Sequence, residues 1–242
     1  MREQDKQAPF FDTHTHVLPG MDDGSSSLDE SLRMLDQLVA QGVSKLCLTS
    51  HFYAWRESKA EYLQRRTDAY EQLKPLLADY PVDVYLGAEV RLAPELFNLQ
   101  SLDELCLGDS RLLLLELPFR QAVDKAMLDD VDRVQAQFYV TPVLAHYNRY
   151  ELFKQSKLRD RLREQGYYLQ LNLEAFLGGP LERRRAVRHL REGIIDMLGT
   201  DTHNTSSRPP RITDVREQLQ KEKGALEAFD AIYERTSRLL GV

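Results

Sequence analysis

Apolar and polar positions alternate in blocks along the chain, and the period of each block identifies an element. A short apolar run from Phe10 ends at His14-Thr15-His16, and a loop rich in Pro, Gly, Asp and Ser follows over 17–27. Leu28, Leu32, Leu35, Leu38 and Val39 then recur at helical spacing up to Gly42, behind a capping box of Ser27 and Glu30. The same strand, loop and helix unit recurs in kind without sequence repetition. Further strands are predicted over 43–50, 82–88, 111–115, 138–145, 167–173 and 194–199, ending at or near His51, Glu89, Glu116, His146, Asn172 and Asp201. Helices are predicted over 59–80, 124–137, 150–165, 181–192, 211–223 and 225–240, and 94–108 is irregular. Strands and helices alternating in this way predict an α/β fold with a parallel sheet. At this length its commonest closure is a barrel, here (β/α)7. No linker or low-complexity tract interrupts it, so 1–242 is expected to be a single domain with a flexible tail over 1–9.

Composition narrows the function classes. A formal charge of -6 argues against a nucleic-acid backbone as partner, which calls for a basic face. The strongest apolar run, Leu112 to Leu115, is broken at once by Glu116 and falls far short of the roughly 20 residues that cross a bilayer. Residues 1–9 carry no signal-peptide core, so the expected compartment is the cytoplasm. Cys47 and Cys106 form no Cys-x-x-Cys and read as free thiols.

The candidate chemistry lies at the strand ends. His14 and His16 alternate with Thr15 in an extended segment and share a face, with Asp12 near enough to orient one ring. Five of the six histidines, His14, His16, His51, His146 and His203, stand at or just after the C-terminal end of a predicted strand, as do Glu89, Glu116 and Asp201. A histidine closing a strand is ordinarily a cap or a core residue. In a parallel barrel, however, all these ends meet at one mouth, where gathered carboxylates would repel one another without a cation. Nitrogen and carboxylate donors without thiolate suit Zn, Mn or Fe, and so many donors exceed the needs of one ion. Glu89 is expected to bridge. Arg149, three residues after His146, and Arg208, five after His203, form a pair suited to a phosphate dianion. His189, on an arginine-rich helix whose Arg183, Arg184, Arg185, Arg188 and Arg191 read as a solvated face, is assigned no role.

The segments Asp12-Thr13-His14-Thr15-His16-Val17-Leu18-Pro19-Gly20-Met21-Asp22-Asp23-Gly24, Thr49-Ser50-His51, Gly87-Ala88-Glu89, Glu116, Ala145-His146 through Arg149-Tyr150, and Thr200-Asp201-Thr202-His203-Asn204 through Arg208-Pro209 resemble the PHP (polymerase and histidinol phosphatase) superfamily. Within it they are most similar to the bacterial capsule and exopolysaccharide tyrosine phosphatases of the CpsB type. The resemblance implies a distorted seven-stranded PHP-type barrel with its metal site at the C-terminal ends of the strands. It implies two or three divalent ions, Mn2+ above Fe or Zn. By carry-over His14, His16, Glu89 and Asp201 surround one ion, Glu89, Glu116 and His146 a second, and Asp23, His51 and His203 a third. Arg149 and Arg208 hold the phosphate and, with Asp201 and His203, make up the catalytic group. The implied substrate is phosphotyrosine on a cognate tyrosine autokinase that controls polysaccharide export. The chain departs from the pattern at Ser50, where Pro is usual, at Phe52, where a further His is common, and at Tyr147-Asn148, where Pro-Glu is usual.

Other chemistries fit less well. Neither cysteine has the Cys-x5-Arg spacing of cysteine phosphatases, since Tyr53 and Leu112 occupy the sixth positions on. Asp130-Val131-Asp132 matches an aspartyl-phosphate pattern but falls within a predicted helix. A small-molecule PHP phosphatase, an amidohydrolase-like enzyme and a non-catalytic metal-stabilised module stay open as alternatives, and oligomeric state is undetermined.

Overall fold

In the computed structural model of the protein, residues 8–118 and 123–242 are described; most of the expected tail, residues 1–7, lies outside them. The first strand, β1 (Phe10–Thr15), is buried along its whole length, its polar Asp12, Thr13, His14 and Thr15 as well as its apolar Phe10 and Phe11, as in a parallel strand covered on both faces. It pairs in parallel with β2 (Val43–Leu48), which pairs in parallel with β4 (Asp83–Leu86). A second parallel series runs β3 (His51–Phe52), β5 (Glu89–Arg91), β6 (Leu112–Glu116), β7 (Thr141–Leu144), β8 (Tyr168–Asn172) and β9 (Met197–Gly199).

The strands expected over 43–50 and 82–88 therefore stop early, at Leu48 and Leu86, and each is followed after a break by a short second strand, β3 or β5. At the break the Glu89 amide faces the carbonyls of both Thr49 and Ser50 (3.1 and 3.2 Å), and the Thr49 hydroxyl accepts from the Thr15 amide at 3.0 Å. Shared and side-chain bonds of this kind interrupt the ladder and shift its register. His51 and Glu89 thus begin short strands instead of ending long ones. The sheet curls until its last strand returns to the first. Thr15 and Thr202 form a parallel bridge, the Asp201 amide donates to His14 O (2.9 Å), and the His16 amide donates to Thr202 O (3.0 Å).

Helices cover the outside. α1 (Leu28–Ala40) is capped by Ser27, whose hydroxyl accepts from the Glu30 amide. The expected box is only half made, because the Glu30 carboxylate turns to the amide and hydroxyl of Ser26. The full reciprocal box belongs to α2 (Lys59–Leu73), between Ser58 and Glu61. That helix stops at Leu73, short of the predicted 80, and continues as a 3-10 turn: Pro75 has no N–H with which to carry on the α ladder. α3 (Lys125–Phe138) follows its Asp124 cap. α4 (Ser156–Glu164) starts six residues after the predicted 150, behind two 3-10 turns, with the Tyr150 hydroxyl tied to the backbone of Leu117. α5 (Pro180–Arg191), α6 (Ile212–Leu219) and α7 (Ala225–Leu240) complete the chain.

The main core packs these helices on the sheet. A smaller cluster takes Phe11, Cys47, Leu114, Val143 and Met197 from β1, β2, β6, β7 and β9, filling the space inside the curl. The polar ends of the same strands collect above it.

Candidate metal centre

His14 and His16 are fully buried at the end of β1, their Nε2 atoms 3.2 Å apart. Each ring is held by its other nitrogen. His16 Nδ1 meets Asp22 Oδ2 at 2.8 Å, and the same oxygen accepts from the His51 amide at 2.8 Å. His14 Nδ1 faces Gln170 Oε1 at 3.5 Å, and His146 Nδ1 faces Asn172 Oδ1 at 3.1 Å. Gln170 and Asn172 lie on one face of β8 and are bonded to each other. The residue expected to orient a ring, Asp12, does not do so. Its carboxylate accepts from the backbone of His14 and from the amide and hydroxyl of Thr200, tying β1 to the segment after β9. Burial pushes the Asp12 carboxyl up to about 7 despite those bonds.

Two glycines make room for these rings. A Cβ on Gly24 would stand 2.3 Å from His16 O, and one on Gly199 would stand 2.5 Å from the Cβ of His14. Two of the three non-glycine residues with positive φ among the described residues are also here, His146 (52°) and Asp201 (55°). Each follows the end of a strand and turns the backbone sharply, a conformation costly for residues with a Cβ and concentrated at functional sites.

Glu89 is the centre of the cluster. Its Oε1 lies 2.6 Å from His146 Nε2, while its Oε2 lies 3.1 Å from His14 Nε2, 3.4 Å from His16 Nε2 and 2.8 Å from His51 Nδ1. None of the approaches to Oε2 has hydrogen-bond geometry, and Asp201 Oδ1 and His203 Nε2 are likewise buried without a hydrogen-bond partner. Lone pairs that converge on a shared point instead of on one another's protons are what a cation site requires. Burial by itself would raise the Glu89 carboxyl, but His14, His146 and His51 outweigh it and hold it well below the usual carboxylate range. Asp201 is held low against burial in the same way, by His16, His14 and His146.

Donor atoms within 4.8 Å of one another form four overlapping groups: His16, Asp23, His51 and His203; His14, Glu89 and His146; His14, His16 and Asp201; and His51, Glu89 and Glu116. Together they contain every one of the candidate ligands expected from sequence. The grouping differs in detail from the one that the resemblance implies, because His16 also reaches Asp23 and His203, and His51 also reaches Glu89 and Glu116. Neither cysteine is present; Cys47 and Cys106 are buried elsewhere, and burial pushes both thiols up.

Arg149 and Arg208 each place Nη2 2.8 Å from Asp201 Oδ2. With Arg91, whose Nη1 is 2.7 Å from Glu116 Oε2, they line a cavity of about 380 Å³ over the cluster. Sequence reasoning missed Arg91, Asp22, Gln170 and Asn172. The last two left a signal, since polar residues two apart in an apolar strand share one face.

The profile of the family described as "Capsular polysaccharide synthesis, CpsB/CapC" matches residues 10–240. Tyrosine-protein phosphatase CpsB of Streptococcus pneumoniae is 27% identical over 245 aligned residues, covering 96% of this chain and 98% of that protein. Tyrosine-protein phosphatase YwqE of Bacillus subtilis (strain 168) is 29% identical over 222, covering 89% and 86%. A crystal structure from work on YwqE and CpsB, described as unique metal-dependent tyrosine phosphatases, superposes with a TM-score of 0.77 at 26% identity over 95% of this chain and 94% of that one. The phosphotriesterase homology protein of Escherichia coli shares the curled-sheet fold, with a TM-score of 0.58 at 13% identity over 97% and 99%.

Proposed function

The chain belongs to the CpsB/CapC capsular polysaccharide synthesis family, and from that membership we propose a metal-dependent phosphatase that hydrolyses phosphotyrosine on proteins. The observation that carries this reading is the Glu89 carboxylate, set among four imidazoles with one oxygen unsatisfied and two arginines at the edge of the cluster. The curled sheet is read as a distorted PHP-type barrel in which β2 with β3, and β4 with β5, each fill one of seven positions.

In this reading His14, His16, Glu89 and Asp201 would hold one divalent ion, Glu89, Glu116 and His146 a second, and Asp23, His51 and His203 a third, with Mn2+ the proposed metal. Bound ions of this kind supply a water of lowered pKa and positive charge beside the phosphoryl oxygens. The chain's own contribution is positional. Asp22, Gln170 and Asn172 fix the rings. His203 Nδ1 faces Asp201 O at 2.9 Å, which leaves Nε2 toward Asp23 Oδ1 at 3.4 Å. Arg149 and Arg208 present planar forks to the non-bridging oxygens, where charge grows in the transition state. Both thiols are buried away from the cavity, so neither cysteine is placed to act as a nucleophile.

The proposed physiological substrate is a tyrosine autokinase of polysaccharide export, met in the cytoplasm. Among the described residues no helix is long and apolar enough to cross a membrane. The test is to assay phosphotyrosine peptides, phosphoserine peptides and small phosphomonoesters before and after chelation and after Mn2+ is returned. Selective, metal-restored release of phosphate from phosphotyrosine is expected. Full activity in metal-free protein, or preference for a small phosphomonoester, would overturn the reading.

A further inference from the structure

An aromatic series climbs out of the metal cluster on one side. His51 stacks on Tyr53, with ring centroids 5.1 Å apart and 23° between planes, and Tyr53 lies 4.9 Å from Trp55. The Arg56 guanidinium covers Tyr53 at 4.6 Å. Exposure rises along the series to 45% at Trp55. Of the four large hydrophobic side chains that stand exposed among the described residues, Trp55 is the one that borders the cavity containing Arg91, Arg149 and Arg208.

The segment is firmly built. Phe52 is fully buried against Tyr62 at 5.1 Å, and the Tyr62 hydroxyl donates to Ser50 O at 2.8 Å. The chain then turns, with the Arg56 amide donating to Tyr53 O at 2.9 Å, and Glu57 is clamped by Arg65 at 2.8 Å. An indole on a turn held in this way is presented to the cavity at little cost in conformational entropy when a ligand arrives. Its exposure leaves apolar surface without a partner in the chain itself.

Resting on the phosphatase reading, we propose that Trp55, backed by Tyr53, is the specificity-determining wall that receives the aromatic ring of the substrate, so that the site selects aryl over alkyl phosphomonoesters. A phosphate held by the arginines fixes one end of the ligand. A ring attached to it meets the indole face, whereas a short alkyl chain has nothing to offer that surface. The contact is made equally in the ground and transition states, so it acts on KM and leaves kcat alone.

The chain contains one tryptophan, so its fluorescence reports this position alone. The test compares the metal-loaded wild type, Trp55→Phe and Trp55→Ala on a phosphotyrosine peptide and on the matched phosphoserine peptide. Trp55→Ala is expected to lower the ratio of the two kcat/KM values by roughly two- to tenfold, through KM, on the scale of one aromatic pair. Trp55→Phe should restore most of it. A peptide bearing phosphonomethyl-phenylalanine should shift the wild-type emission, and inorganic phosphate should not. An unchanged ratio in Trp55→Ala would overturn the proposal. Failure of the wild type to hydrolyse either peptide would overturn the phosphatase reading beneath it.

Discussion

Asp22 Oδ2 stands 2.8 Å from Nδ1 of His16, so the ring's remaining nitrogen, Nε2, faces His14 and Glu89. Burial alone would make the His16 ring harder to protonate, but the carboxylates of Asp22, Asp201 and Glu89 together more than reverse this. The Asp22 carboxylate sets which nitrogen of the ring is available to a metal. Asp22→Ala is expected to weaken metal binding by roughly 10- to 100-fold, the range seen when a ligand loses its orienting partner. Isothermal titration with Mn2+ measures it, and wild-type affinity would show that His16 is fixed by packing alone.

Arg149 and Arg208 share one oxygen of Asp201, so neither is a free surface cation. Each Arg→Ala change is expected to cut kcat/KM on a phosphotyrosine peptide by roughly ten- to a thousandfold, the scale of one positioned donor. Metal content should be unchanged. Lys at either position should rescue only in part, because a point charge does not reproduce the planar fork. Assaying activity and bound metal in the same preparations decides it, and wild-type rates in both variants would remove the arginines from the site.

What the sequence made legible follows from the range of each signal. Strand and helix alternation is local and periodic, and the candidate ligands stood out because a parallel sheet brings all its strand ends to one rim. Two of the supporting groups were hidden because their partners are distant in sequence: Gln170 serves His14 across 156 positions, and Asn172 serves His146 across 26. Asp12 misled for the opposite reason. It is two residues from His14, but its carboxylate is engaged by Thr200, 188 positions away. The breaks at Thr49-Ser50 and Gly87-Ala88 depend on bonds between strands, which no periodicity within one strand can announce.

Gly199 offers a stability test of how closely the first and last strands approach. An added Cβ would lie 2.5 Å from the Cβ of His14, which moves only with the backbone, and 2.6 Å from Gln170 Nε2, the end of a fully buried side chain bonded to Asn172. Gly199→Ala is expected to cost about 1–3 kcal/mol, as overpacking does, and to weaken metal binding through His14. Gly179, with nothing within 4 Å of its Cβ position, is the control: Gly179→Ala should stay within about 0.5 kcal/mol. Urea unfolding of both variants without metal separates the packing cost from metal loss, and equal stabilities would refute the close approach.

His189 lies outside the cluster on α5, yet it is fully buried, so only part of that arginine-rich helix is the solvated face expected from its sequence. Its ring packs edge-on against Phe153 at 5.2 Å, with Nδ1 3.4 Å from the Tyr147 hydroxyl and Nε2 3.4 Å from guanidinium nitrogens of both Arg159 and Arg188. Burial, with Arg159, Arg188 and Arg185 adding to it, holds the ring down to about 3. An unfolded chain would take up a proton on this histidine near 6.5, whereas the folded chain takes none until about 3. Stability is therefore undiminished above about 6.5 and falls as the pH drops toward 3, by about 1 kcal/mol per unit. His189→Gln keeps an acceptor toward the arginines but cannot titrate. Relative to that variant, the wild type should lose stability between pH 6.5 and 5, while at pH 7.5 both should bind metal and turn over phosphotyrosine alike. Urea unfolding of the metal-free proteins across that pH range is the measurement, and a constant difference between them would show that His189 is not held neutral by its burial beside the arginines.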